Sequence, residues 1–280
     1  MTKSILIVGG AGGVGSAVVD TLVNQGNMVV TTVLDAAEAE AIQGRYDGAV
    51  KAHVVDLSDP EAVLTKIKLL VDALPALDAV AICAAVAPVG PMELTPLSTY
   101  STAYDINCIS AVSVYQATLP ALRKTAGRIV LVSSIAGRAA YSFMSAYTAT
   151  KFALEALGDV MRREAGPQGI KVSIVQPGGI RTNLVQNQIT SLEPAYAALN
   201  EEDRERYGLL FKGYMKFSAD SLRDTASTPD QVAAVVVEAL DALEPETRYV
   251  AGMDAKRFFE MSRNMSDREI DHLFHQMLLG

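Results

Sequence analysis

Ser4-Ile-Leu-Ile-Val-Gly-Gly-Ala-Gly-Gly-Val-Gly15 decides the fold of this chain. The apolar run Ser4 to Val8 reads as a short buried strand. The run Gly9 to Gly15 reads as a turn, and Val18, Val19, Leu22 and Val23 follow at helical spacing. Strand, glycine turn and helix are the context that lifts a glycine motif above noise. Glycine lets backbone approach a pyrophosphate, and a helix N-terminus offers free N–H groups and a positive dipole. Two registers fit, Gly10-x-Gly12-x-x-Gly15 and Gly9-x-x-x-Gly13-x-Gly15. Working outward, strand patterns recur at Met28 to Leu34, Ala52 to Val55, Ala79 to Ala87, from Ile129, at Ile170 to Val175, and at Thr247 to Ala251. Helical patterns separate them. That alternation predicts an α/β fold, Rossmann-like, with a doubly wound parallel sheet of about seven strands.

The fifth strand carries the chemistry. Gly127-Arg-Ile-Val-Leu-Val-Ser-Ser134 is a β-branched run that delivers serine hydroxyls to its carboxyl end. Tyr147-Thr-Ala-Thr-Lys151 and Phe152-Ala-Leu-Glu-Ala-Leu157 then show helical spacing. Tyr147 and Lys151 stand at i and i+4, so phenol and ammonium share a helix face about 5–6 Å apart at Cβ. A cation near a phenol favours the phenolate, whose free pKa is about 10. A tyrosine so placed exchanges protons with an alcohol or ketone near neutral pH. Alone, Tyr-x-x-x-Lys is a weak signal. With Ser134 at a strand end and the glycine turn at the N-terminus, it is a specific one.

With these motifs together, the chain resembles the short-chain dehydrogenases/reductases (SDR) of the classical type, from Ile5 to about Asp254. Gly137-Arg-Ala-Ala, Ala146-Tyr-Thr-Ala-Thr-Lys-Phe-Ala-Leu-Glu-Ala-Leu157 and Gln176-Pro-Gly-Gly-Ile-Arg-Thr182 look most like the retinol and hydroxysteroid dehydrogenase branch. The resemblance implies hydride transfer between a nicotinamide and a secondary alcohol or ketone. It implies Tyr147 as general acid/base, Lys151 to lower its pKa and hold the ribose, and Ser134 on the substrate oxygen. Asn107 would hold a relay water. It favours the Gly9, Gly13, Gly15 register, with Val8 where the family usually has threonine. Cofactor contacts are expected from Gly9, Gly12, Gly13, Val14 and Gly15, from Asp56 and Leu57, and from Cys83, Ala84 and Ala85. Tyr147 and Lys151 are expected to contribute, as are Pro177, Gly178, Ile180 and Thr182. The family's Asn-Asn-Ala-Gly is Ile82-Cys83-Ala84-Ala85 here, which puts side-chain hydrogen bonds at that strand end in doubt.

Asp35 lies twenty residues after Gly15, near the distance expected of a carboxylate on the adenosine ribose. The family usually places that acid where this chain has Val33, so an ordinary loop aspartate is the competing reading. With no Arg or Lys closely following this strand, NAD is expected over NADP. Asp56 competes with Ser58 to cap the next helix, where Ser58-Asp-Pro-Glu61 has a capping-box pattern. For Asn107, polar on an apolar helix face, the competing reading is that it caps or bends its helix. His53 is expected to be structural, and Cys83 a small core residue.

Residues 183 to about 227 carry Tyr196, Tyr207, Phe211, Tyr214, Met215 and Phe217, as expected of a helical substrate lid. The tail from about 255 to 280 reads as amphipathic helix that covers either the substrate mouth or a subunit contact. Together with Tyr141, Phe143 and Met144, the lid points to an apolar, cyclic substrate of steroid, retinoid or terpenoid type. The 280 residues are expected to form one domain, half of them apolar, with a formal net charge of −8. That charge argues against nucleic acid, since phosphate binding needs clustered cations. Cys83 and Cys108 give neither disulfide framework nor metal spacing, and no apolar stretch approaches the ~20 residues of a membrane span. A cytoplasmic enzyme with no metal is expected, and by resemblance a homodimer or homotetramer. Two other classes compete: a non-catalytic nucleotide sensor, disfavoured by the intact tetrad, and an NAD-retaining epimerase or dehydratase, whose larger C-terminal domain is lacking.

Overall fold

The computed structural model describes residues 2–280. Seven parallel strands form one sheet: β1 (Ser4–Val8), β2 (Met28–Val33), β3 (Lys51–Val54), β4 (Ala79–Ile82), β5 (Arg128–Val132), β6 (Lys171–Pro177) and β7 (Arg248–Ala251). Their spatial order is β3-β2-β1-β4-β5-β6-β7. The order reverses between β1 and β4, where such sheets open a crevice at their carboxyl edge. Strand β1 shows why the sheet is covered twice. Ile5 and Ile7 point into one core, and Leu6 and Val8 into the other, the alternation a pleated strand imposes.

Helices α1 (Gly13–Asn24), α2 (Ala36–Arg45) and α9 (Pro229–Asp241) cover the first face, while α3 (Pro60–Asp72), α5 (Ser110–Thr125) and α6 (Ser145–Ala165) cover the second. A short α4 (Leu97–Tyr104) runs through a π-turn at Asp105–Ile109 into α5. Outside both faces lie α7 (Asn183–Ala197), α8 (Glu201–Asp224), α10 (Met253–Ser262) and α11 (Asp267–Leu279).

Local chemistry sets the helix starts. Thr228 and Gln231 close a capping box on α9. The pattern at Ser58 does not form one. Asp59 caps α3 instead, accepting from Ala62 N at 3.0 Å. Pro60 explains the shift, because proline suits the first helical position and makes its predecessor the cap. The acidic first turn of α8 is exposed, as its mixed charge suggests.

The excursion of α7 and α8 has a small core of its own: Phe143, Leu192, Phe211 and Tyr214, with Tyr196, Tyr207 and Met215 packed around it. The tail then packs on α8. A Cβ at Gly213 would sit 1.8 Å from the carbonyl oxygen of Leu278, so only glycine lets α11 approach so closely. Among the described residues, no helix is long and apolar enough to cross a membrane, and no group of His, Cys, Asp or Glu is arranged to hold a metal ion. His53 lies exposed on edge strand β3, and His272 and His275 are exposed on α11.

Candidate active site

The crevice is a cavity of about 820 Å³. Every residue expected at the site lines it except Asp35 and Asn107. Its floor is the glycine turn. Gly12 caps α1 without a side chain, so the first-turn N–H groups are left for a ligand. Gly9 has φ +87°, and a Cβ there would meet the Ala84 Cβ at 2.6 Å. At Gly15 a Cβ would lie 2.1 Å from the Gly9 carbonyl, and at Gly13 it would lie 2.6 Å from Thr182 Cγ2. Gly12 meets nothing closer than 3.5 Å. Each glycine of the Gly9, Gly13, Gly15 register is therefore sterically required, whereas the other register contains one that is not. This cradle, which added methyl groups would fill, fits the diphosphate of a dinucleotide.

At the end of β4, the departure from Asn-Asn-Ala-Gly leaves the backbone well held. Cys83 N and Ala84 N both donate to Val8 O, at 2.9 and 3.1 Å. Desolvation pushes the thiol of half-buried Cys83 up to about 12, away from a reactive thiolate.

Asn107 sits behind this segment, inside the π-turn. Its Oδ1 accepts from Val86 N, and its Nδ2 donates to Val86 O and to Thr150 Oγ1, all at 2.9 Å. The asparagine thus ties the β4 exit to α6, and the helix does depart from α geometry at that point.

Strand β5 delivers Ser134 and α6 delivers Tyr147 and Lys151 to the opposite wall. Ser134 Oγ accepts from Ala136 N at 3.0 Å and lies close enough to the Tyr147 hydroxyl to lower its pKa. Lys151, 2 % exposed, donates from Nζ to Val132 O at 2.9 Å and lies 5.6 Å from the centroid of the Tyr147 ring. Spacing alone suggests that the lysine lowers the tyrosine pKa. The structure differs. Burial pushes the Tyr147 phenol up, and the Ser134 hydrogen bond acts against it. Burial also lowers Lys151 to about 8, against the raising influence of Cys108, Glu155 and Cys83. Both groups are therefore driven toward their neutral forms, because burial in the surrounding protein penalises either charge.

Asp35 does not face the cavity. It caps α2, its Oδ1 accepting from Glu38 N at 2.9 Å. Glu38 lines the cavity instead, with Leu34 N donating to its Oε2 at 2.8 Å. The counting rule leads to a residue that the helix start has taken, because a β-to-α turn needs an N-cap and aspartate fills that place. Asp56 lines the cavity as expected. Hydrogen bonds from Ser58 N and Oγ, at 2.9 and 2.8 Å, hold its carboxyl below the usual range.

The far end is apolar. Tyr141, Met144, Tyr214 and Phe217 line it, and the tail adds Phe258, Met261, Leu273 and Met277. Of the two roles open to the tail, the structure shows it on the cavity wall. Tyr141 stacks edge-on against Phe274 at 4.8 Å, and Gln188 of α7 donates to Ala87 O at 3.3 Å. Asp254, which sequence reasoning passed over, also lines the cavity. No motif marks it, since it acts on a turn distant in sequence.

Comparison with known proteins agrees with this geometry. Residues 3–193 match the family model described as short chain dehydrogenase. The chain is 30% identical to 3-amino-tetrahydro-pyrrolizinone reductase of Xenorhabdus hominickii, over 97% of this chain and 94% of that protein. It is 30% identical to human 17-beta-hydroxysteroid dehydrogenase type 6 and 28% identical to rat retinol dehydrogenase 7, in both cases over 92% of this chain and 83% of the relative. Among solved structures, it is similar to a short-chain dehydrogenase from Streptomyces avermitilis, with a TM-score of 0.78 and 24% identity over 97% of this chain and 95% of that one. A short-chain dehydrogenase from Burkholderia cenocepacia, solved with NADP, has a TM-score of 0.73 and 18% identity over 100% and 98% of the two chains.

Proposed function

The chain belongs to the short-chain dehydrogenase family and is an alcohol/ketone oxidoreductase, and on that premise we propose that Tyr147 is its general acid/base. The observation that carries this is the convergence of Ser134, Tyr147 and Lys151 on one cavity wall beside the glycine cradle. A nicotinamide cofactor bound there supplies the hydride acceptor or donor. Gly9, Gly13, Val14 and Gly15 would hold its diphosphate, Asp56, Leu57 and Ala84 its adenosine half, and Pro177, Gly178, Ile180 and Thr182 its nicotinamide end.

The remaining work falls to side chains. In oxidation, Tyr147 Oη takes the substrate hydroxyl proton while its own phenolic proton passes toward Lys151 and the carbon gives hydride to the cofactor, and in reduction each transfer runs backward. Ser134 hydrogen-bonds the same substrate oxygen and holds the phenol in place. Lys151, lowered to about 8 by burial, takes the phenolic proton onward in its neutral form, whose share grows as pH rises through that value. Asn107 keeps the β4 exit and α6 in register, so that these groups stay within reach of each other.

For the cofactor we favour NAD. Glu38 and Asp56 are the charged groups on the adenosine rim of the cavity. The guanidinium of Arg45 on α2 is committed to Asp20 and Ser16. A 2′-phosphate would face these two carboxylates, with Lys66 beside Asp56 as the cation nearest to hand. For the substrate we favour a secondary alcohol or ketone on an apolar, cyclic scaffold, with α7 and α8 acting as a lid. The apolar end of the cavity supports this, as does the hydroxysteroid named for one relative. The test is NADH formation or consumption with a panel of cyclic alcohols and ketones, run with NAD and NADP in parallel. Tyr147→Phe is expected to lose at least about a hundredfold in turnover while still binding cofactor. Retained turnover would refute the assignment.

A further inference from the structure

The Pro177–Gly179 turn is held by a piece of chain seventy-five residues further on. Gly178 N donates to Ala251 O at 3.1 Å, and Gly179 N donates to Asp254 Oδ2 at 2.7 Å. Two consecutive N–H groups are thus taken by the junction between β7 and α10. Gly252 makes that junction possible. Its φ of +99° turns the chain so that Asp254 comes back over the turn, and few L side chains adopt that conformation.

The fit is close on the other side as well. A Cβ at Gly178 would lie 2.2, 2.3 and 2.4 Å from Oδ2, Oδ1 and Cγ of Asp254, its three nearest neighbours. Gly178 has no positive φ, so its backbone would accept alanine. The carboxylate alone demands a glycine. Asp254 Oδ1 is buried and has no hydrogen-bond partner. Such a group calls for a reason, and helix capping is not one, because Asp254 lies within α10 and the N-cap is Gly252.

Resting on the function proposed above, we infer that Asp254 is a positioning residue: it fastens the Pro177–Gly179 turn beneath the nicotinamide end of the cofactor, and Gly178 is glycine to admit it. The same junction starts the tail, whose Phe258, Met261 and Met277 line the substrate end. One carboxylate therefore anchors both the cofactor turn and the wall against which substrate packs. A residue that merely stabilised the fold would affect melting alone. Asp254 affects cofactor affinity.

The experiment is a double-mutant cycle on the full-length protein, with NAD and NADP binding measured by calorimetry and melting followed by circular dichroism. Asp254→Ala is expected to weaken cofactor binding about tenfold, equivalent to about 1.4 kcal/mol. Asp254→Asn keeps an oxygen for Gly179 N–H and is expected to restore binding. Gly178→Ala alone is expected to weaken binding as Asp254→Ala does. Combined with Asp254→Ala it adds nothing further, because its methyl group enters the space the carboxylate vacates. Asp254→Ser replaces the alanine variant if the latter does not fold. Losses that add in the double variant, or unchanged affinity in Asp254→Ala, would overturn this role while leaving the oxidoreductase reading intact. Failure of the unaltered protein to bind either nucleotide would overturn that reading first, and this inference with it.

Discussion

Phe143 offers a test in which the sign of the effect, and not only its size, is set by the structure. The residue is 6 % exposed and has φ +69°, in the left-handed region. Its ring stacks on Tyr214 at 5.2 Å and 13°, and meets Phe211 edge-on at 4.7 Å and 86°. Its carbonyl accepts from Gly90 N at 2.8 Å, so the backbone is pinned where it is. Truncating a buried phenylalanine to alanine costs about 3–5 kcal/mol, of which each aromatic pair supplies about 0.5–1.5. Phe143→Gly removes one carbon more, and elsewhere glycine is less stable than alanine by roughly 0.5–1 kcal/mol. Here the order reverses. An L side chain in this region is strained by about 1–2 kcal/mol, and glycine is not, so Phe143→Gly should be more stable than Phe143→Ala by about 1 kcal/mol.

The location of the loss is equally specific. Phe143 belongs to the cluster beneath α7 and α8, separate from the two cores of the sheet. Both variants should therefore speed hydrogen exchange in residues 183–224 and leave β5 and β6 protected. Urea titration compares the variants, and exchange followed by mass spectrometry localises the change. An alanine variant more stable than the glycine variant would refute the strain argument. Equal loss of protection in β5 and α8 would refute the separate lid core.

Three further outcomes concern the site. Lys151 is lowered from 10.5 to about 8 by burial, so kcat/KM for alcohol oxidation should rise with pH through about 8 as its neutral form becomes available to take the proton. The folded protein releases this proton between about 8 and 10.5 while the unfolded chain still holds it, so this lysine makes stability increase with pH across that window, by up to about 3 kcal/mol. The raised thiols of Cys83 and Cys108 oppose it above pH 9, so the check is the difference in urea midpoint between the unaltered protein and Lys151→Met at each pH. At the adenosine rim, Asp35→Asn keeps a competent cap and should leave NAD affinity unchanged, whereas Glu38→Arg should move the NADP-to-NAD affinity ratio upward by about tenfold or more. Calorimetry with both nucleotides checks this, and an effect at Asp35 with none at Glu38 would reverse the assignment.

The agreement between sequence and structure was best where chemistry is local. Sheet, strand sequence and the glycine turn were all legible, because a buried parallel strand is a continuous apolar run and a tight turn at a pyrophosphate site admits little besides glycine. Tyr147 and Lys151 were legible because i and i+4 share a helix face whatever surrounds the helix. Where the two differ, the cause is the same, seen from the other side. Counting from Gly15 reached Asp35, yet the choice between Asp35 and Glu38 depends on which carboxylate the helix start takes as its cap. Pattern placed a cap at Ser58, and Pro60 moved it by one residue.

Sequence by itself determined the α/β class, the family, the hydroxyl-phenol-ammonium constellation and the existence of an aromatic segment after β6. Each is written in spacing between near neighbours, and spacing survives without coordinates. Only the tertiary structure decided that Tyr147 and Lys151 are both driven toward neutrality, because desolvation depends on everything packed around a group and not on its neighbours in the chain. Only it brought the tail to the cavity wall, and only it set Asp254 against Gly178. Such contacts join segments scores of residues apart, and the residue that needs the glycine carries no local sign of the need.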